Sequence, residues 1–294
     1  MKNDSPQKIL LLVDGSDRSI NTVRYVARTD PFHRMHIVLF HVFSAVPESY
    51  WDLENDIRSV KVIKHARAWE LSQRKIIQNY MIQANQLLVK SGIPAESIEI
   101  KYQNRKTGIA RDIIKEARNG YAAVITRRRG AGALRGIVLG SVATKLTAKI
   151  GFMPLILVGK KPAGDKLLIG FDGSQDAMKA VNVVGSILGD FDYKVELLHV
   201  TRGNEHGLKD IKSSFYIAAK ILISSGFNSK SIVTKIIKGA NSRAKAITDE
   251  ARQFDFGTIV VGRKGRSRVR DFFIGRVTNK VIHMARDRSV WIIR

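Results

Sequence analysis

The chain has 294 residues, 44% hydrophobic and 26% charged, a balance that suits a folded globular protein and excludes a disordered one. It has no cysteine, which excludes disulfides, thiolate metal sites and cysteine nucleophiles. Fifty Lys and Arg against 26 Asp and Glu leave a net charge of +24, so polyanions such as nucleotides, nucleic acid or anionic surfaces are the partners to expect. The excess is not parked in a tail: residues 1–160 hold 26 basic and 13 acidic side chains, and residues 161–294 hold 24 and 13. No apolar run approaches the ~18 residues of a membrane span, and Met1–Lys8 is polar, so no membrane span and a cytoplasmic location are expected.

In chain order, the first predicted strand is Ile9–Val13, continuously apolar as a strand buried on both faces must be, and it ends in Asp14-Gly15-Ser16. A helix is expected over Asp17–Arg28, then a second strand over His36–Val42. Apolar residues between Ile76 and Leu88 recur at i, i+3 and i+4, which predicts a helix stopping near Ser91-Gly92. Strand Ile98–Tyr102, helix Thr107–Arg118 and strand Ala122–Thr126 follow. A glycine loop, a helix from about Ser141 and a last strand over Pro154–Gly159 complete this half.

After the Pro/Gly break at Lys160–Gly164 the order repeats. Strands are expected at Lys166–Phe171, Lys194–Val200, Ser231–Ile237, Phe256–Gly262 and Ser289–Ile293, with helices between them. This alternation predicts an α/β protein of two tandem doubly wound domains, 1–160 and 161–294. Each should hold a five-stranded parallel sheet flanked by helices, in the Rossmann-like manner.

The halves are copies. Asp14 and Asp172 lie 158 positions apart, as do His41 and His199, whereas Gly130 and Gly140 match Gly265 and Gly275 at a spacing of 135. The first half therefore carries 23 extra residues, most naturally around Ser44–Tyr80, a segment that would serve a partner or cover a site.

Ligands of open α/β sheets bind at the carboxyl ends of the strands. Two features of each half belong there. Asp14-Gly15 and Asp172-Gly173 end the first strands, where a carboxylate suits ribose hydroxyls or a base amine, or else caps the next helix. After the fourth strand comes a glycine loop opening a helix: Arg127, Gly130, Gly140, Ser141 and Val142 in one half, Gly262, Gly265, Gly275 and Arg276 in the other. Glycines admit phosphate to backbone amides at a helix N-terminus. The loops are rich in cations, with Arg127, Arg128, Arg129 and Arg135 in one and Arg263, Lys264, Arg266, Arg268, Arg270 and Arg276 in the other. They are not Walker-type loops. His33 and His36 have no third ligand nearby, so no metal site is expected, and His41 and His199 read as packed rather than catalytic.

The doubled combination of Val-Asp-Gly-Ser after the first strand and Gly-x2-Gly-x9-Gly-(Ser/Thr) after the fourth resembles the universal stress protein family, twice over nearly the whole chain. The resemblance implies an adenine-nucleotide alpha hydrolase-like sheet and, in one subclass, ATP held by that loop, with Mg2+ present only alongside ATP. The strand-one Asp would then meet the adenosine, and the glycines with the Ser/Thr would hold phosphates and ribose. Carried onto this chain, the nucleotide contacts are Asp14, Gly15, Val42, Arg127, Gly130, Gly140, Ser141 and Val142 in the first half. In the second they are Asp172, Gly173, Val200, Gly262, Gly265, Gly275 and Arg276.

Each half departs once. Arg127 stands for the first glycine, either blocking a phosphate or binding it, and Arg276 replaces the Ser/Thr. The reading is a stress-response regulator that binds ATP or a related nucleotide or phosphate ligand in at least one domain, with slow ATP hydrolysis at most. The alternatives are an RNA- or DNA-binding protein that uses its basic surface, and a dimerising scaffold. The family pairs its last strands between subunits, so here they would pair within the chain as a pseudo-dimer or serve self-association.

Overall fold

A computed structural model describes residues 7–16, 19–43, 60–128, 138–161, 164–203, 208–265 and 274–294, with the backbone alone for 60–66 and 208–209. The first half runs β1 (Lys8–Leu12), α1 (Ile20–Ala27), β2 (His36–Phe43), α2 (Val60–Lys90), β3 (Ile98–Asn104), α3 (Ile109–Ala117), β4 (Tyr121–Arg127), α4 (Ser141–Lys149) and β5 (Leu155–Val158). The second runs β6 (Lys166–Gly170), α5 (Gln175–Leu188), β7 (Lys194–Val200), α6 (Leu208–Ser224), β8 (Ile232–Ile237), α7 (Arg243–Gln253), β9 (Thr258–Gly262), α8 (Arg276–Met284) and β10 (Ser289–Ile293).

The ten strands form one sheet in the order β3-β2-β1-β4-β5-β10-β9-β6-β7-β8. All pairings are parallel except β5 with β10, where Leu157, Ile156 and Leu155 face Val290, Trp291 and Ile292. The last strands thus pair within the chain, as one of the expected arrangements required.

Alternate residues of each central strand enter opposite cores, which is why these strands read as unbroken apolar runs. Ile9, Leu11 and Val13 pack with α1 and α2, in a core continued by α5 and α6; Leu10 and Leu12 pack with α3 and α4, in a core continued by α7 and α8. Trp291, fully buried on β10, crosses the seam: its indole N–H donates to the Tyr25 hydroxyl at 2.8 Å, and its ring lies 6.2 Å from Phe32. Both partners belong to the first half.

Two arginines lock the same seam from either side. The Arg128 guanidinium donates to the carbonyls of Ile282 (2.5 Å) and Arg288 (3.0 Å), and that of Arg263 donates to the carbonyls of Ile150 (2.5 Å) and Ala148 (2.7 Å). These are equivalent positions, 135 apart, and each reaches the other half's last helix or the chain just after it. Burial is the main force on the Arg128 guanidinium, pushing it down to about 10 against the opposing charge of Asp287. Both residues were counted with the cationic glycine loops in the sequence; the structure reassigns them to the seam.

Candidate functional site

At the carboxyl edge of the first half lies a cavity of about 870 Å³. Six of the residues read as nucleotide contacts line it: Asp14, Val42, Arg127, Gly140, Ser141 and Val142. They arrive from four places, the ends of β1, β2 and β4 and the start of α4. Gly15 is not part of the wall. Its φ of +73° turns the chain, and a Cβ there would stand 2.1 Å from Ile77 Cδ1. Gly130, with Arg129 and Arg135, lies outside the described residues.

Asp14 does not cap α1. Its Oδ1 accepts the Ser16 amide (3.1 Å) and hydroxyl (2.7 Å), while its Oδ2 is buried with no hydrogen-bond partner. A buried carboxylate oxygen in that condition is costly unless a donor arrives. The Arg127 guanidinium donates to Ser16 Oγ at 2.6 Å and stands 3.9 Å from Asp14 Oδ1. It is therefore tied to the floor of the cavity.

Beside them, His41 Nδ1 pairs with the Val13 carbonyl at 2.7 Å. Burial lowers its pKa, against the pull of that carbonyl and of Asp14, so the ring is neutral with Nδ1–H donating and Nε2 an acceptor. Across the cavity, α4 begins at an extended Gly140 with no side-chain cap and no acidic residue in its first turn. Its first amides and dipole face a site suited to an anion.

The remaining wall is one the sequence reading did not assign. Trp69, Glu70, Gln73, Arg74 and Ile77 of α2 line the cavity. Arg74 is fixed by Glu70 (3.2 and 3.0 Å) and Asn104 (2.9 Å) and lies 4.6 Å over the Phe43 ring, which stacks on Tyr102 at 5.5 Å. α2 has 31 residues and its counterpart α6 has 17. Both stop at a Ser-Gly pair, Ser91-Gly92 and Ser225-Gly226, so the extra length is N-terminal and is what brings Trp69 and Glu70 over the sheet edge. Part of the 44–80 excess is thus helix; residues 44–59 lie outside the described residues.

The second half closes the same place. Gly262 stands where Arg127 does, and a Cβ on it would fall 2.9 Å from the Ala177 amide nitrogen in the first turn of α5. Glycine lets that helix start against the strand end, with Ser174, not Asp172, as its cap (3.3 Å to the Ala177 amide). In the first half Arg127 occupies the space and takes the Ser16 hydroxyl, and α1 is described only from Ile20, behind an uncapped Ser19.

The loop after β9 then folds down. The Lys264 amide donates to Asp176 (2.9 Å), and a Cβ on Gly265 would meet Asp172 Oδ2 at 2.5 Å. Asp172, Gly173, Gly262, Gly265, Gly275 and Arg276 are gathered, but around a filled space, with Val200 buried beneath. His199 repeats the His41 contact, 2.8 Å to the Phe171 carbonyl. Arg266, Arg268 and Arg270 lie outside the described residues.

Two doubly wound halves, each in the strand order 3-2-1-4-5 with its first-strand Asp and glycine-opened helix on one edge, define an α/β protein of the adenine-nucleotide alpha hydrolase-like type. The universal stress protein family matches residues 6–156 and again 164–294, and the chain belongs to that family with two tandem domains. A universal stress protein from Archaeoglobus fulgidus DSM 4304 shares the fold over 97% of both chains, at 18% identity and a TM-score of 0.69. One from Mycolicibacterium smegmatis is 28% identical over 172 residues; the match spans 56% of this chain and about half, 54%, of that relative. An Archaeoglobus fulgidus universal stress protein in complex with dAMP matches 44% of this chain and 96% of its own, with 19% identity and a TM-score of 0.35. Among the described residues no helix is long and apolar enough to cross a membrane.

Proposed function

We propose that this chain is a stress-response regulator that holds ATP or a related nucleotide in the first-half cavity, with 1–160 as the binding unit and 161–294 as its permanent partner. The observation that carries the reading is the orphaned Asp14 Oδ2 beside an uncapped helix N-terminus in one 870 Å³ space. A ribose hydroxyl or base amine satisfies the carboxylate, and the amides of Ser141 and Val142 with the Ser141 hydroxyl receive phosphate. Arg127 acts as a tethered floor that leaves the phosphate to α4. Any Mg2+ enters with the ATP phosphates, since the described residues offer no cluster of three carboxylates or histidines to hold it.

Nucleotide-stripped full-length protein should melt higher in millimolar ATP, because binding to the folded state stabilises it by mass action. Asp14→Asn should weaken that binding at least tenfold, while Asp172→Asn leaves it unchanged. No ATP-dependent rise in Tm would sink the reading.

The net charge of +24 favours one second reading, a surface that binds RNA or DNA. Affinity for duplex DNA should then fall with salt at a slope of about −0.9 per neutralised phosphate; a flat salt dependence rejects it.

A further inference from the structure

The antiparallel seam leaves a small cleft between the halves, about 190 Å³, lined by Ala148, Lys149, Gly151, Arg263, Lys264 and Arg294. Lys149 ends α4, Arg263 and Lys264 follow β9, and Arg294 follows β10, so the cations come from both halves. Gly151 is the surface on which they meet. Arg263 Nε and Arg294 Nη1 each lie 3.2 Å from the position a Cβ on Gly151 would take.

Arg263 cannot swing away, because its two terminal nitrogens are held by the Ile150 and Ala148 carbonyls and the residue is only 3% exposed. Its guanidinium lies below its ordinary pKa, first because it is buried and next because Arg294 is beside it, with Asp176 opposing. No carboxylate is among the described residues lining the cleft. Like charges converging in a partly buried space call for a counter-charge there. On the opposite side of the seam the backbone closes instead: a Cβ on Gly159 would stand 2.4 Å from the Arg288 carbonyl carbon.

We propose that this seam cleft binds a phosphate-sized oxyanion, either inorganic phosphate or the phosphoryl end of a small monoester, with Lys149 and Arg294 as its ligands from the two halves. The volume lies below the ~300 Å³ at which pockets for drug-sized ligands begin, so the site takes a phosphoryl group and not a whole nucleotide. The Arg263 guanidinium forms its fixed back wall. The site is separate from the first-half cavity and stands or falls independently of it.

The test is calorimetric titration of the full chain with inorganic phosphate, and in a second arm with phenyl phosphate, chloride being adjusted to hold ionic strength constant. Both arms should be repeated on the Lys149→Ala/Arg294→Ala double variant and on Asp14→Asn. The proposal expects binding by the wild type, at least tenfold weaker binding by the double variant, and wild-type affinity in Asp14→Asn. Tighter binding of phosphate assigns the site to the free ion, and tighter binding of phenyl phosphate assigns it to a monoester. In phosphate-free buffer the double variant should melt at or above the wild-type Tm, since a repulsion has been removed. Absence of phosphate binding, equal binding by the double variant, loss of binding in Asp14→Asn, or a double variant that melts well below the wild type would each overturn the proposal.

Discussion

Glu196 shows how much a single side chain alters in one copy of a repeat. Both halves bury a Lys–Glu pair between a strand and a helix, Lys101 with Glu116 (2.8 Å) and Lys235 with Glu250 (2.5 Å). Only the second half adds another acid, Glu196, in the register that Val38 holds in the first. Burial, then the Glu250 carboxylate, push its pKa up to about 7 from an ordinary 4.5, with Lys235 opposing. The folded state therefore holds a proton between pH 4.5 and 7 that the unfolded chain has released, so stability falls as pH rises through that window and the full cost is felt above 7. Glu196→Gln should raise stability at pH 8 by about 2 kcal/mol, the gain shrinking to nothing near pH 4. Urea melts at the two pH values check this, and an equal effect at both would refute it. Nothing in the sequence marks Glu196, because its meaning lies in a neighbour 54 residues away. Arg127 was visible as a departure from the glycine pattern, but whether it blocks, binds or props depends on its distance to Ser16. Arg128 was misread for a simpler reason: adjacent residues leaving a strand point to opposite sides, so one arginine faces the cavity and the next faces the seam.

At the scale of elements, strand order, helix order and the two glycine-opened helices were all legible, because two buried faces impose continuous apolar runs and helical stripes leave a clear period. The start of α2 was not. Its C-terminal half carries the expected stripe, but the turns before Ile76 hold Lys61, Lys64, Arg67, Trp69 and Glu70 and show no apolar period, because they lie over a cavity and not on a core. That extension makes Trp69 a reporter. It lines the cavity and is 53% exposed, whereas Trp291 is fully buried in the seam. Titration with ATP should change the intrinsic fluorescence, and Trp69→Phe should remove most of that change with little loss of stability. A signal that survives in Trp69→Phe would place the ligand elsewhere.

Across the whole molecule, the seam is built like an interior. Trp291, Tyr25 and Phe32 are buried across it, and the two arginines close it from opposite sides. Trp291→Ala should cost about 3–5 kcal/mol, read as a lower denaturant midpoint for the entire chain and not for one half. A protease site placed at 162–163 and cut after folding should leave two fragments that co-elute as a 1:1 complex. Separation of the fragments on dilution would show that the linker, not the seam, holds them.

The pairing of β5 with β10 inside one chain has a further effect. Where such strands meet between separate molecules, the site-bearing form depends on concentration and two identical copies must share every constraint. Tethering makes the encounter intramolecular, with an effective concentration that dilution cannot lower. It also fixes the ratio of the two halves at one to one whatever the level of expression. A half that always has its complement attached can lose its own cavity without losing its place, and the loop lying on Asp172 records such a division of labour within a single gene product.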